Sequence, residues 1–327
     1  MTVLTLLSLL LLGACNDADD KGPGDSSTPD DSTPTDDSSP TLDPATVPLA
    51  GTCAMDVDYG GFVIQASADE SSITGAVADG VVPISVLEEI AAEGDCRLLR
   101  RNNPYCDPAC DPGETCDFDG TCITYPSNQD LGTVTVTGLN QASTMEPVFP
   151  GNTYYDTSLT HPVMEGGELV TLQMPDGVYG PLELHGVGIE AVDMTGVIWS
   201  VADGQDLAIT WPAPTASVVR SEVEIRISID QHGITPSALY CTFADDGTGT
   251  VPASIITTLL SAGVTGFPTG LLERRTADKG AAGAGCMDLI VSAPRTVEVD
   301  VVGYTPCVAD EDCPEGQDCN EELQICE

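Results

Sequence analysis

The chain has 327 residues, and its 52 Asp and Glu against 10 Lys and Arg give a formal net charge of −42 at pH 7. Nine of these acids and Lys21 lie between Asp17 and Asp43, so the rest of the chain still carries 43 acids against nine bases. This balance argues against nucleic-acid binding, which draws most of its affinity from a basic patch, and against docking on anionic lipid. Acids spread over every segment favour adaptation to high salt, ahead of an attraction for cations.

The first fifteen residues resemble a lipoprotein export signal. Leu4 to Leu12 is almost wholly apolar, and it is too short to span a bilayer of about 30 Å as a helix. Gly13-Ala14-Cys15 follows, and this spacing resembles the bacterial lipobox. The resemblance implies that residues 1–14 are a signal peptide and that Cys15 becomes an acylated N-terminus held in a membrane. Met1 to Val3 departs from such signals because it lacks Lys or Arg.

Residues 15–50 are predicted to form a disordered acidic tether rich in Ser, Thr and Pro. The run DDSTPTDDSSP lies at the centre of this segment, which offers no apolar face to bury. Repulsion between its carboxylates extends such a chain. A lipidated Cys15 followed by this tether would hold a folded body away from the membrane.

The cysteines predict an oxidising compartment. Setting Cys15 aside leaves 12 of the 13 cysteines, and an even number in an exported chain predicts six disulfides. The candidates are four separated cysteines and two clusters of four: Cys53, Cys96, Cys241 and Cys286; Cys106, Cys110, Cys116 and Cys122; Cys307, Cys313, Cys319 and Cys326. Closeness in sequence suggests Cys53 with Cys96 and Cys241 with Cys286. Within each cluster three pairings are open, and we favour first-to-third with second-to-fourth.

The two clusters, CDPACDPGETCDFDGTC and CVADEDCPEGQDCNEELQIC, form a weak internal repeat. Each is similar to the short cysteine-rich repeats, EGF-like or Dickkopf-like in spacing, of myxobacterial envelope lipoproteins. NPYCDPAC, GTVTVTGL and CTFADDGTGTVPASII extend this resemblance to the body. The resemblance implies a surface lipoprotein and transfers no catalytic residue.

The cysteine clusters could instead bind zinc, and the first cluster could bind calcium. Zinc is disfavoured because neither cluster contains a CxxC pair or a His. Asp117, Asp119 and Gly120 imitate part of a calcium loop, but the acid at its first position and the Glu at its twelfth are missing. We therefore predict a hairpin turn at Asp119-Gly120.

Residues 51–105 are predicted to form a small α+β module. Tyr59 to Ala66 alternates apolar and polar residues, and Ser72 to Val77 could pair with it as a second strand. Pro83 to Ala92 is predicted to be a short helix.

A basic cluster, Arg97, Arg100 and Arg101, follows the predicted helix. It could contact an anion or an acidic partner. In so acidic a chain we prefer local pairing with the protein's own carboxylates.

From residue 130 onward the pattern is that of β-strands. The strongest has Val223, Ile225, Ile227 and Ile229 on one side and Glu222, Glu224 and Arg226 on the other, which is typical of an antiparallel sheet with one buried face. The remaining elements are predicted at Thr133 to Thr137, Leu182 to Leu184, Leu207 to Trp211, Leu239 to Phe243, Cys286 to Val291 and Val297 to Val301 as strands, and at Pro252 to Leu260 as a short helix.

The predicted fold is mainly β, with one or two antiparallel β-sandwiches, Ig-like in the broad sense, and two small disulfide-rich modules. Residues 130–212 and 213–304 are the two halves of the sandwich region. Residues 106–125 and 305–327 are the cysteine-rich modules.

Candidate catalytic residues are few. The three histidines, His161, His185 and His232, lie on separate segments, and no hydrolase or metalloprotease motif surrounds them. His185 has Glu183 and Glu190 nearby and could form a metal or acid-base site, although alternation places it on the polar side of its strand. We expect Trp211 to be in the core, and the pair Tyr154-Tyr155 could face a ligand.

The sequence therefore predicts a non-catalytic, lipid-anchored envelope protein with a structural, binding or adhesion role and without a cofactor or metal. Its expected contacts are the membrane, through Cys15, and an envelope or extracellular protein. Its expected location is the outer membrane or cell surface rather than the inner membrane. The alternatives are an extracytoplasmic hydrolase with an unrecognised site and a calcium-dependent scaffold.

Overall fold

A computed structural model describes residues 42–215, 220–229 and 237–327. The signal peptide, Cys15 and His232 lie outside these ranges. Residues 42–327 form one compact unit, and the tether prediction is wrong for residues 42–50. The apolar side chain of Val47 is buried in the body and is 2% exposed. Arg220 also donates a hydrogen bond to the carbonyl oxygen of Val47. Within the described ranges, no helix has the length and apolar character needed to cross a membrane.

The body begins with β1 (Asp58–Ala66) and β2 (Ser71–Val77), which pair antiparallel as predicted. The predicted helix from Pro83 to Ala92 is wrong. Pro83–Ser85 is a single 3-10 turn, and β3 (Leu87–Glu93) pairs with β4 (Cys96–Arg101). Strand pairing prevails because β4 offers its backbone groups along β3, from Leu87 opposite Arg101 to Glu93 opposite Cys96. The pairing also places Glu88 beside Arg100 and Glu89 beside Arg97, at 2.7 Å and 2.8 Å. Two of the three arginines of the basic cluster, Arg97 and Arg100, are thus paired locally, as preferred.

The first cysteine-rich module is a hairpin of β5 (Glu114–Cys116) and β6 (Cys122–Thr124). The predicted turn is confirmed: Asp119 Oδ1 accepts hydrogen bonds from the amide and hydroxyl of Thr121, and Gly120 has φ of 81°. The second module contains β19 (Cys319–Asn320) and β20 (Ile325–Cys326). In both modules the first cysteine bonds the third and the second bonds the fourth, which is the pairing we favoured.

The middle of the chain consists of short strands. In chain order they are β7 (Val134–Thr137), β8 (Ser143–Met145), β9 (Tyr154–Asp156), β10 (Leu169–Met174), β11 (Leu182–Val187), β12 (Ile198–Val201) and β13 (Leu207–Thr210). The order β11-β10-β7-β8 forms a four-stranded sheet, the small sheet.

Longer strands follow and complete the body. They are β14 (Glu222–Ser228), β15 (Ser237–Ala244), β16 (Thr248–Val251), β17 (Thr269–Ala282) and β18 (Gly285–Val301). The single helix of the described residues, α1 (Ala253–Ser261), begins after Pro252 as predicted, and Asp206 accepts its first amide hydrogen. The two closing strands predicted from the sequence are one continuous strand, β18.

Ten strands form the large sheet, in the order β3-β4-β15-β14-β17-β18-β1-β2-β9, with β12 also beside β18. Two pairings, β1 with β18 and β12 with β18, are parallel, so this sheet is mixed. Residues 51–105 were predicted as a separate module, but their strands β1 to β4 join the large sheet instead. The mainly β class with two disulfide-rich modules is confirmed.

Two hydrophobic cores lie on one face of the large sheet. Met287 to Ala293 of β18 enters a core shared with the small sheet, and Val297 to Val301 enters a core shared with α1, β12 and β13. Odd-numbered residues supply both sets, and odd positions of a strand share a face. The two sheets approach closely at Gly186, where a Cβ atom would lie 2.4 Å from Val291 Cγ2.

A buried ion pair connects Arg274 of β17 with Asp245, which directly follows β15. Their side chains are 2% and 3% exposed, and Arg274 Nε lies 2.6 Å from Asp245 Oδ2. Arg274 also donates to the carbonyl oxygens of Glu190 and Pro212. Trp211, in the core as predicted, donates its indole hydrogen to Asp245 Oδ1 at 2.8 Å.

We expect Asp245→Asn to lower the free energy of unfolding by about 3 to 5 kcal/mol, because it leaves the Arg274 charge buried without its counter-ion. Denaturant titration measures this loss. The matched control is Glu88→Gln, which breaks the exposed pair with Arg100 and should cost less than about 1 kcal/mol. Equal losses in the two variants would contradict the structural role of the buried pair.

Candidate ligand-binding site

The large sheet has a second face, the outward face, which points away from both cores. It carries Arg97, Tyr240, Arg226, Glu224 and Arg275, because these residues alternate with core residues along their strands. Residues 50–56 cross part of it, held by hydrogen bonds from Gly51 N to Ala277 O and from Lys279 Nζ to Thr52 O. The outward face therefore combines polar side chains with a partial cover.

Cations are concentrated on this outward face. Of the nine Lys and Arg that follow the tether, five lie there by strand alternation: Arg97, Arg101, Arg226, Arg275 and Lys279. The same part of the chain carries 43 acids. More than half of the body's positive charge thus shares one sheet face.

Three of these side chains form a row across neighbouring strands, the Arg–Tyr–Arg row. The strand register places Tyr240 directly opposite Arg97 on one side and Arg226 on the other. The guanidinium carbon of Arg226 lies 5.8 Å from the centroid of the Tyr240 ring, within cation–π range. Arg226 is exposed and forms no ion pair with any residue that the structure describes. Its positive charge is therefore available to a ligand.

A cavity of about 430 Å³ opens beside this row. One wall is the outward face, and the opposite wall is the segment Thr52 to Asp56. Its lining includes the ring of Tyr240, the polar side chains Arg97, Thr242 and Glu224, and the apolar side chains Met55, Val86 and Leu99. Its volume falls within the range of small-ligand pockets, roughly 300 to 1,000 Å³.

The two long-range disulfides hold this cavity, and both differ from our prediction. Cys96 bonds Cys241 and Cys53 bonds Cys286, across 145 and 233 residues. The predicted pairs, Cys53 with Cys96 and Cys241 with Cys286, are wrong because β4 pairs with β15 and places Cys96 directly opposite Cys241. Arg97 follows Cys96, and Tyr240 precedes Cys241, so this bond fixes the row. The other bond fixes the opposite wall at Cys53.

Charge compensation beneath the cavity is provided by Arg275. Its Nε lies 2.9 Å from Glu222 Oε1 and its Nη1 lies 2.7 Å from Glu224 Oε2. Burial raises the pKa of Glu224 while the charge of Arg275 opposes that rise, and the two carboxylates raise the pKa of Arg275 against its desolvation. Arg275 and its two carboxylates form a hydrogen-bonded floor with one formal negative charge in excess.

Asp288 supports the wall on the other side of Cys53. It is 9% exposed, its Oδ1 accepts the Cys53 amide hydrogen at 2.7 Å, and its pKa is raised from 3.8 to about 6, mainly by burial and further by the charge of Asp58. A carboxyl group whose pKa is higher in the folded than in the unfolded protein stabilises the fold only while it is protonated. This contribution is lost as pH rises from 4 through 6.

We expect Asp288→Asn to raise the free energy of unfolding at pH 8, by at most about 3 kcal/mol, and to have no effect near pH 3.5. The amide oxygen of Asn can keep the bond from Cys53, while the charge is removed. Denaturation at both pH values measures the difference. Glu298→Gln, an exposed change in the same strand, is the control. A stabilisation that is the same at both pH values would contradict the assignment.

Replacing Cys96 and Cys241 with Ala should lower stability more than replacing Cys106 and Cys116. The first pair closes 145 residues and the second closes 10. Chain entropy gives about 5 kcal/mol for the longer loop against about 3 kcal/mol for the shorter. Denaturant titration of both double variants under oxidising conditions tests this order, and the reverse order would count against the long-range pairing.

A larger cleft, of about 920 Å³, lies beside one edge of β18, in the gap between the part paired with β1 and the part paired with β12. Arg295 stands in it, and its Nη1 donates to the carbonyl oxygens of Ala66 and Pro294 at 3.0 Å and 2.6 Å. Burial lowers the pKa of Arg295, while Asp193 and Asp69 oppose this. Here the arginine satisfies backbone groups at a gap in the sheet, which is a structural role.

The two histidines that the structure describes, His161 and His185, contact different residues. His185 lies on the polar side of its strand as predicted, but it is only 14% exposed, and its ring nitrogens lie 3.4 Å from Glu183 Oε1 and 3.4 Å from Thr171 Oγ1. Glu190, expected near it, instead accepts hydrogen bonds from Thr215.

His161 is exposed, and its Nδ1 lies 2.9 Å from Ser71 Oγ, the distance of a nucleophile and its base. Ser71 is only 5% exposed, and no carboxylate of the described ranges orients His161. The pair lacks the parts that complete a hydrolase site.

The other predicted site residues are dispersed. Tyr154 is 1% exposed and donates its hydroxyl hydrogen to Gly132 O, whereas Tyr155 is 56% exposed on an edge strand. The two tyrosines therefore do not form one patch. In the part of the chain that the structure describes, each cluster of three potential metal ligands contains disulfide-bonded cysteines, which cannot supply thiolates.

No known protein family matches the chain, and no curated protein is similar to it in sequence. Sequence reasoning found Arg97 within the basic cluster but missed Tyr240 and Arg226. The available signal was weak: Arg97 and Tyr240 each adjoin a cysteine, and only the strand register shows that those cysteines bond.

Proposed function

We propose that the protein is a lipid-anchored component of a bacterial cell envelope, and that its disulfide-bonded β body serves a binding or structural role rather than catalysis. The pairing of the cysteines carries this proposal. Twelve of the 13 cysteines pair with one another within the described ranges, so none is left for Cys15. A cysteine without a partner, directly after Leu12-Gly13-Ala14, is the residue that lipoprotein processing acylates.

The body's composition supports an extracytoplasmic location. Six disulfides persist only where the compartment is oxidising. Two of them close loops of 233 and 145 residues and would be lost in a reducing cytoplasm together with the cavity walls they hold. The sequence between Cys15 and residue 41, acidic and rich in Ser, Thr and Pro, is typical of a spacer between a lipid anchor and a folded body. We therefore propose a location at the outer membrane or cell surface.

The binding role is favoured over catalysis by the outward face. It carries a preformed cavity in which Glu224 and Arg275 are already paired with each other. Paired groups of this kind orient a ligand through hydrogen bonds, whereas a general acid or base needs a free site for its proton.

Replacing Cys15 is the direct test of the anchor. In a bacterial host, we expect the unaltered protein in the detergent-extracted membrane fraction, with an intact mass that starts at Cys15, includes acyl chains, and gains 12 hydrogens on reduction of six disulfides. Cys15→Ser should lose the acyl mass and leave the membrane fraction.

Ser26→Ala, in the same acidic segment, is the matched control and should remain acylated. A Cys15→Ser protein that keeps its membrane attachment would overturn the anchor. So would an unmodified mass for the unaltered protein, or a chain that gains fewer hydrogens on reduction.

A further inference from the structure

The Arg–Tyr–Arg row and the cavity beside it form one continuous polar surface on the outward face. Tyr240 and Arg97 line the cavity, and Arg226 stands on the far side of Tyr240. Arg97 is held by Glu89 at 2.8 Å, but both side chains are about half exposed. Such surface pairs are weak, so a ligand anion can replace Glu89.

The surrounding acids limit how negative a ligand can be. Asp56, Asp95 and Glu224 line the same cavity. A polyanion such as a nucleic acid would meet these carboxylates along its length, whereas a ligand with one negative group could place it between the arginines. The same carboxylates, with Thr242, offer hydrogen-bond partners to hydroxyl groups.

The site also contains an aromatic ring. Tyr240 is half-buried, and its position is set by the sheet and by the adjacent Cys96–Cys241 bond. An aromatic ring surrounded by carboxylates, a hydroxyl and guanidinium groups matches a sugar ring, which has apolar C–H faces and a rim of hydroxyls.

We propose that this site binds a saccharide unit that carries a single anionic group. The sugar ring packs on Tyr240, its hydroxyls bond Thr242 and the cavity carboxylates, and its anionic group lies between Arg97 and Arg226. A carboxylate of a uronic acid and a phosphate ester of a sugar share this chemistry. The site is preformed, because a disulfide adjoins the row and a second holds the opposite wall.

This inference names a ligand for the binding role proposed above and rests on it, but not on the lipid anchor. The anchor is tested through Cys15, and the ligand through the outward face. Failure of the saccharide experiment leaves acylation at Cys15 untouched, and failure of acylation leaves the saccharide site to be judged by its own result.

The test is a ligand-observed saturation-transfer NMR titration of the full chain, purified from whichever fraction holds it, with its disulfides intact. The probes are glucuronic acid, glucose 6-phosphate, neutral glucose and acetate. We expect the two anionic sugars to bind with a Kd on the order of 1 mM, as for other ligands of this size, and glucose and acetate to bind at least about tenfold more weakly.

Arg226→Gln should weaken the anionic sugars about tenfold and leave glucose unchanged, because it removes one charge-assisted hydrogen bond. The matched control is Arg101→Gln, which removes an equal charge from the same face outside the row and should change binding less than about twofold. Tyr240→Leu should weaken all three sugars together, since it removes the ring on which they pack.

Several results would overturn the proposal. One is the absence of binding by both anionic sugars at 20-fold above the expected Kd, roughly 20 mM. Another is equal binding of acetate, which would show an anion site only. Equal losses in Arg226→Gln and Arg101→Gln would show general electrostatic attraction instead of a defined site. The difference between the glucuronic acid and glucose 6-phosphate titrations identifies the anionic group.

Discussion

The antiparallel pairing of β17 with β18 is the contact on which the rest of the fold depends. It runs through 14 residue pairs, from Thr269 opposite Glu298 to Ala282 opposite Gly285. The other edge of β18 receives β1 and then β12, both parallel to it. One face of β18 supplies side chains to both cores, so this hairpin unites strands from the two ends of the chain into a single sheet.

Long-range cross-links complete what the hairpin begins. The Cys53–Cys286 bond fastens the entry segment of the body to the start of β18, and the Cys96–Cys241 bond fastens β4 to β15. Between these bonds lie the cavity and the Arg–Tyr–Arg row. Because the cross-links connect distant parts of the chain, they make the outward face rigid in a protein with only one helix among its described residues. The same bonds that stabilise the fold therefore shape the proposed site.

Local pattern was a good guide where neighbours in sequence are neighbours in space. Alternation identified β14, the Asp-Gly dipeptide identified the turn at Asp119-Gly120, and the favoured pairing within both cysteine clusters is the one observed. Local pattern failed at Pro83 to Ala92, where pairing with β4 favours a strand, and at the four separated cysteines. Each failure has the same origin, since the deciding partner lies on a strand that local spacing cannot place.

The sequence by itself determined the β class, the disulfide-rich modules and the six-disulfide count, because alternation, turn residues and an even number of cysteines act locally or by composition. Only the tertiary structure decided which distant cysteines pair, which strands share the large sheet, and that Arg97, Tyr240 and Arg226 form one row. The physical reason is that β-sheet register arises between strands far apart in the chain. A residue's cross-strand neighbours are therefore set by hydrogen bonding and core packing over the whole body, and not by the residues beside it.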